Sequence, residues 1–165
     1  MPSKSKSLHD IVPAALAAVR RVIQVDLPYE SVPTAQLQLQ TLSGSLDLSQ
    51  WSIIVTDDCL AKIATQQLSS PRLMLTSLNL SGAEKVTDAG IQSLSPCIAA
   101  LQTLQLDNAY QISSVGLSLV AKYGINLHHL SLAGCLKIDG VGFAVIGEGC
   151  RALQHLNLSG CRYVA

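Results

Sequence analysis

The sequence predicts an α/β solenoid built from 26-residue units, on three observations. First, the pattern Leu-x-x-Leu-x-Leu occurs four times in register, beginning at Leu75, Leu101, Leu127 and Leu153, with its second leucines at Leu78, Leu104, Leu130 and Leu156. Second, each of the first three copies is followed by a short loop, one apolar residue and a helix start. Third, hydrophobic residues make up 48% of the chain and aromatic residues only 4%, which is the aliphatic core of a small repeating unit. A fixed period in this range marks stacked units that bury their apolar faces against one another. Such stacks present an extended concave surface, so function is expected on a face and a catalytic cleft is the weaker expectation.

Residues 1–45 do not repeat and are read as a tail and a capping helical region. Leu8, Ile11, Val12, Ala15, Leu16, Val19 and Ile23 make 7–25 an amphipathic helix candidate, with Pro13 restricting where it can start. Leu27-Pro28, Pro33 and then Leu37, Leu39 and Leu42 suggest a turn and a second apolar segment. A stack needs its first unit covered, and this region would do so.

Residues 46–165 hold the repeats, about four and a half units with the last one cut short. In the first, Leu46-Asp47-Leu48 supplies a strand and Val55-Thr56-Asp57 a helix start, with Leu60 and Ile63 on the helical face. Leu46 stands 32 residues before Leu78, and the segment Gln66 to Pro71 is expected to hold the extra residues as a loop. The second unit continues after its strand with Gly82, Val86, Thr87 and Asp88. Thr87 and Asp88 are residue types that cap a helix N-terminus, and Ile91, Leu94 and Ile98 give one helical face. The third and fourth units repeat this with Ile112-Ser113-Ser114 and Ile138-Asp139-Gly140. Gly82, Gly134 and Gly160 are expected in left-handed turns. The chain ends at Ala165 after the fifth strand, where a stack exposes an apolar edge; either more repeats follow in a longer protein or a partner covers that edge.

Three residues past the last strand leucine stand Ala83, Ala109, Cys135 and Cys161, with Trp51 in that place in the first unit. Leu-x-x-Leu-x-Leu-Ser/Ala-Gly-Cys followed by Val/Ile-Thr/Ser-Asp-x-Gly resembles the cysteine-containing leucine-rich repeat, best known from F-box/LRR proteins. The resemblance covers about three-quarters of the chain. It implies a horseshoe with a parallel concave sheet and helices on the convex side. It also implies a protein-binding role, most specifically substrate recognition for a ubiquitin ligase of SCF-like or elongin type. Leu8, Val12 and Leu16 are similar to an elongin C-binding box, with Val12 where that box has a small residue, and are the candidate adaptor contacts. A full F-box would begin near Leu27-Pro28 and run through the first repeat. The alternative reading is a structural subunit or scaffold in a stable intracellular complex.

Lys+Arg and Asp+Glu both number 11, so no basic excess points to nucleic acid or an anionic membrane. No apolar run has the length of a membrane span, and the apolar stretch 11–19 runs into Arg20-Arg21 with no cleavage pattern. Five cysteines without a CxxC pair read as reduced, buried thiols, which places the chain in cytoplasm or nucleus.

Because strand side chains alternate, the residues between the leucines point to the concave side and stack in rows. Asp47, Asn79, Gln105, Ser131 and Asn157 form one row, and Ser45, Ser77, Thr103, His129 and His155 another. Just past the strands, Asp107 belongs to a third. This polar, nearly uncharged face suits a protein partner and lacks the Lys and Arg rows that phosphate requires. The candidate contacts are Asp47, Asn79, Thr103, Gln105, Asp107, His129, Ser131, His155 and Asn157. Zinc on His129 and His155 would need ligands that the rows do not offer, so pH-sensitive binding is the expectation and no metal or other cofactor is. No Gly-x-Ser-x-Gly elbow or phosphate loop occurs, and the chain is not expected to be an enzyme.

Overall fold

The computed structural model of the chain describes residues 44–69 and 74–162, with backbone alone at 66–69. In order it holds β1 (Ser45–Asp47), a 3₁₀ turn (Ser49–Trp51), α1 (Asp57–Ser69), β2 (Ser77–Asn79), α2 (Asp88–Ser93) and α3 (Ser95–Ile98). There follow β3 (Thr103–Gln105), α4 (Ser114–Tyr123), β4 (His129–Ser131), α5 (Gly140–Gly149) and β5 (His155–Asn157). The expected helix over 7–25 and the adaptor candidates Leu8, Val12 and Leu16 lie outside the described residues.

The strands form one parallel sheet in sequential order. Leu46, Leu78, Leu104, Leu130 and Leu156 are directly paired along it. Parallel strands have no tight turn to fix their register, so hydrogen bonds and side chains must. At each strand start one carbonyl serves two donors: Thr76 O accepts from Gln102 N at 2.7 Å and from Thr103 N at 3.0 Å. Gln102 O and His128 O do the same for the next two strands. Past the strands the ladder continues through Gly82 N to Asp107 O, Asn108 N to Ala133 O and Gly134 N to Ser159 O, at 2.6–2.8 Å.

Leu46, Leu78, Leu104 and Leu130 face a continuous core with Leu60, Ile91, Leu117 and Ile146 from the helices. The opposite face of the sheet is polar. At the loop turns, Gly82, Gly134 and Gly160 take positive φ as expected, and Asn108 (φ 57°) fills the equivalent place in the third unit. Asn tolerates the left-handed region better than most residues do. Leu156 on the last strand is 42% exposed, against 2% for Leu130 beside it.

Two local expectations are corrected. The extra residues at Gln66 to Pro71 are not all loop, because α1 runs on to Ser69 and absorbs most of them as an added helical turn. The single helix expected through Ile91, Leu94 and Ile98 is two short ones, divided at Leu94. Pro96 has no N–H to donate to the preceding turn, so the helix restarts with Pro in its first turn, where a donor is not needed. All three apolar residues are still buried.

A side-chain clamp joins successive helix starts. Asp57, at the beginning of α1, accepts from Thr87 N at 2.8 Å and from Thr87 Oγ1 at 2.7 Å. Thr87 in turn caps α2 by accepting from Ala89 N. Asp88 repeats this on Ser113, at 2.9 and 2.6 Å, and Ser113 caps α4 through Val115 N. At the next junction the two residue types change places. Ser114 stands where the aspartates stood, and its hydroxyl donates to Asp139 Oδ1 at 2.7 Å while accepting from Asp139 N at 3.1 Å. The side-chain bond is reversed in direction but kept. The Ser114 hydroxyl, with help from Gly142 N–H, holds the Asp139 carboxyl below its ordinary value. Its contribution to stability is therefore present above the unfolded value near 4 and is lost as pH falls through the lower folded one.

The clamp explains the glycine two residues into α2, α4 and α5. A Cβ on Gly90 would run into Asp57 Oδ1, one on Gly116 into Asp88 Oδ1, and one on Gly142 would lie 2.7 Å from Ser114 Oγ. Gly147, by contrast, has open space around it. In chemical denaturation, Gly116→Ala is expected to destabilise by about 1–3 kcal/mol. Gly147→Ala should stabilise by about 0.5–1 kcal/mol, through helix propensity alone. Ser114→Asp should lower the melting temperature by setting two carboxylates against each other. Adding Asp139→Ser should restore it, because that pair recreates the Asp–Ser polarity of the preceding junction.

Candidate functional site

The polar face of the sheet carries nearly all the sequence-derived candidates, in the expected rows. Asp47, Asn79, Gln105, Ser131 and Asn157 are paired neighbours across the strands, and so are Thr103, His129 and His155. Asp107 follows β3 and reaches the same face. The strands put these residues there because the central leucines of β1 to β4 are drawn into the core, turning both neighbours of each outward, and β5 continues the same alternation in register with β4.

These side chains divide by what they already hold. Asp47 Oδ1 accepts from Ser49 N at 2.9 Å, Asn79 Oδ1 from Ser81 N at 3.0 Å, and Asn157 Oδ1 from Ser159 N at 3.1 Å. Each turns the chain out of its strand by bonding the backbone two residues on. Asp107 instead works across units: its Oδ1 accepts from Ser131 Oγ at 2.5 Å and from Ala133 N at 2.8 Å. Asn157 Nδ2 donates to Ser131 Oγ at 3.1 Å and completes a chain from β5 to Asp107. The one carboxylate near the middle of the face is thus already engaged by hydrogen-bond donors from the next unit.

Thr103, Gln105, His129 and His155 make no side-chain hydrogen bond among the described residues. The two imidazoles lie parallel, with centroids 4.5 Å apart and planes 6° from alignment, and both are exposed. A flat, double-ring surface with free ring nitrogens therefore sits beside a free amide and a free hydroxyl. Among the described residues no group of three or more His, Cys, Asp or Glu is placed to hold a metal ion. Nor is any helix there long and apolar enough to cross a membrane.

The cysteines belong to the other side of the sheet. Cys135 Sγ donates to Leu106 O and Cys161 Sγ to Leu132 O, both at 3.1 Å, so each thiol bonds the preceding unit where Ala83 and Ala109 only fill space. Burial pushes the Cys135 thiol up to about 11. It also raises Cys97 and Cys150. A raised thiol favours the folded state fully below its unfolded value, and for Cys135 that preference is lost as pH rises from about 9 towards 11. Cys59 is only half-buried. With a thiol reagent at pH 8 under native conditions, Cys59 should react first and Cys135 should stay unmodified until the protein unfolds. Rapid labelling of Cys135 in the native state would contradict its protonated, buried setting.

Sequence reasoning placed the rows correctly but could not separate engaged side chains from free ones. An Asx residue at the strand exit was the available signal for Asp47, Asn79 and Asn157. For the Asp107–Ser131 bond no signal existed, since it depends on the register between units. A comparison with the curated proteins found no match. Residues 73–95, which span β2, its loop and α2, match the family model described as a leucine-rich repeat, and this repeat type is what the parallel sheet and its helices resemble.

Proposed function

We propose that the chain is a leucine-rich-repeat solenoid of 26-residue units, curved as a horseshoe, that recognises a protein on the concave face of its sheet. Leucine-rich repeats generally serve protein–protein interaction, and the match over residues 73–95 supports that class. One observation carries the choice of face: Thr103, Gln105, His129 and His155 lie together on β3, β4 and β5 with their hydrogen-bonding capacity unspent, beside a stacked imidazole pair. Flat rings and unspent amide groups suit a peptide or protein surface with polar and aromatic content. Asp47, Asn79, Asp107, Ser131 and Asn157 shape the same face and supply their remaining lone pairs and N–H groups. The role is binding without catalysis and without a cofactor.

The more specific reading is substrate recognition for a ubiquitin ligase. The cysteine-type repeat pattern supports it, with Leu8, Val12 and Leu16 as the adaptor contacts. Affinity purification of the tagged chain from its native cells, followed by mass spectrometry, tests both levels. A client is expected to be retained by the wild type and lost from His129→Ala/His155→Ala at unchanged melting temperature, because neither ring is buried or bonded to the fold. A cullin with an adaptor is expected alongside it and should be lost on changing Leu8 and Leu16. Recovery of one fixed set of non-ligase subunits, indifferent to those leucines, would replace the ligase reading with a scaffold.

A further inference from the structure

A second surface, away from the candidate face, carries the same 26-residue spacing. The loop residue two places after each left-handed turn is Glu84, Tyr110, Leu136 and Arg162 in successive units, and all four are exposed. Their alignment is fixed from both sides. The backbone ladder through Gly82, Asn108 and Gly134 holds them two residues earlier, and buried Val86, Ile112 and Ile138 hold the loops of the first three two residues later. Tyr110 and Leu136 are 40% and 41% exposed, and Val115 and Val141, at the starts of α4 and α5, are 65% and 68% exposed. Other exposed large apolar residues, such as Ile53 and Ile125, do not recur at this spacing. Clustered exposure of this kind marks a contact surface, whereas scattered exposure does not.

The order of the row decides what covers it. Read along the stack it runs acid, aromatic, aliphatic, base. Turned by a two-fold axis between the third and fourth units, it becomes its own complement. Glu84 then meets Arg162 of the second copy, Tyr110 meets Leu136 and Val115 meets Val141. The flanking Lys137 and Gln111, joined within the chain by Lys137 Nζ donating to Gln111 Oε1 at 2.5 Å, would meet the same pair of the second copy with Lys137 facing Gln111 and no like charges opposed. Neither Glu84 nor Arg162 has an ion pair or side-chain hydrogen bond among the described residues, so both are free to serve. We propose that the chain forms an isologous two-fold dimer through this loop row, leaving both sheet faces open.

Sedimentation equilibrium of the full chain between about 1 and 100 µM, the range for a small interface, tests this. The wild type should show a reversible monomer–dimer equilibrium that weakens with added salt. Glu84→Arg and Arg162→Glu should each weaken it by at least about tenfold, since either change sets two pairs of like charges across the axis. The double variant E84R/R162E should recover it. Circular dichroism should be unchanged throughout, as neither side chain supports the fold. A monomer across the whole range would overturn the proposal. So would a dimer indifferent to both single reversals, which would have to form through another face.

Discussion

Everything positioned in this protein depends on the hydrogen bonds passed from one helix start to the next. Three-residue strands offer few ladder bonds of their own, and a parallel sheet can slide where no turn pins it. The Asp57–Thr87, Asp88–Ser113 and Ser114–Asp139 clamps pin it, and each one also caps a helix or frees a capping group to do so. A carboxylate there further benefits from the positive end of the helix it begins. The glycine two residues into each following helix is the steric counterpart of the clamp, since a side chain there would run into the Asp57 or Asp88 carboxylate or the Ser114 hydroxyl. A conserved geometry is thus produced by two different arrangements of residues, with the hydroxyl and the carboxylate exchanged at the third junction.

The register so fixed is what gives the sheet face its content. Sliding one strand by a residue would turn its leucine out and bury a polar neighbour, an error that costs both a cavity and a lost hydrogen bond. In register, the side chains at the strand exits close their own turns, and Asp107 accepts hydrogen bonds from Ser131 Oγ and Ala133 N of the following unit. Polar capacity is left free towards β3, β4 and β5, where Thr103, Gln105 and the paired imidazoles stand. The face is low in charge, so the recognition proposed there would rest on shape and hydrogen bonding. Long-range electrostatic steering would contribute little.

The spacing of leucines made the architecture of the described residues legible, because a repeat of this kind carries its own register. The N-caps at Thr87, Ser113 and Asp139 were legible from residue type, and the turn glycines from position. What the sequence concealed were consequences of one unit lying on another. Asp88 reads as a capping residue for its own helix, yet its carboxylate serves Ser113, 25 residues away. Asn108 does not match the glycines on either side of it, but its backbone does. Pro96 divides a helix whose apolar pattern is unbroken, since burial periodicity reports the face and not the hydrogen bonds. On the candidate face, position could be read and availability could not.

The most direct measurement of where this chain meets its partner is site-specific photo-crosslinking in native cells. A photoreactive residue at Gln105, on the sheet face, is compared with one at Glu148, exposed on α5 on the opposite side. A discrete protein adduct at Gln105 and none at Glu148 is the predicted result. An adduct at Glu148 with none at Gln105 would contradict the assignment of function to the sheet and move it to the helices.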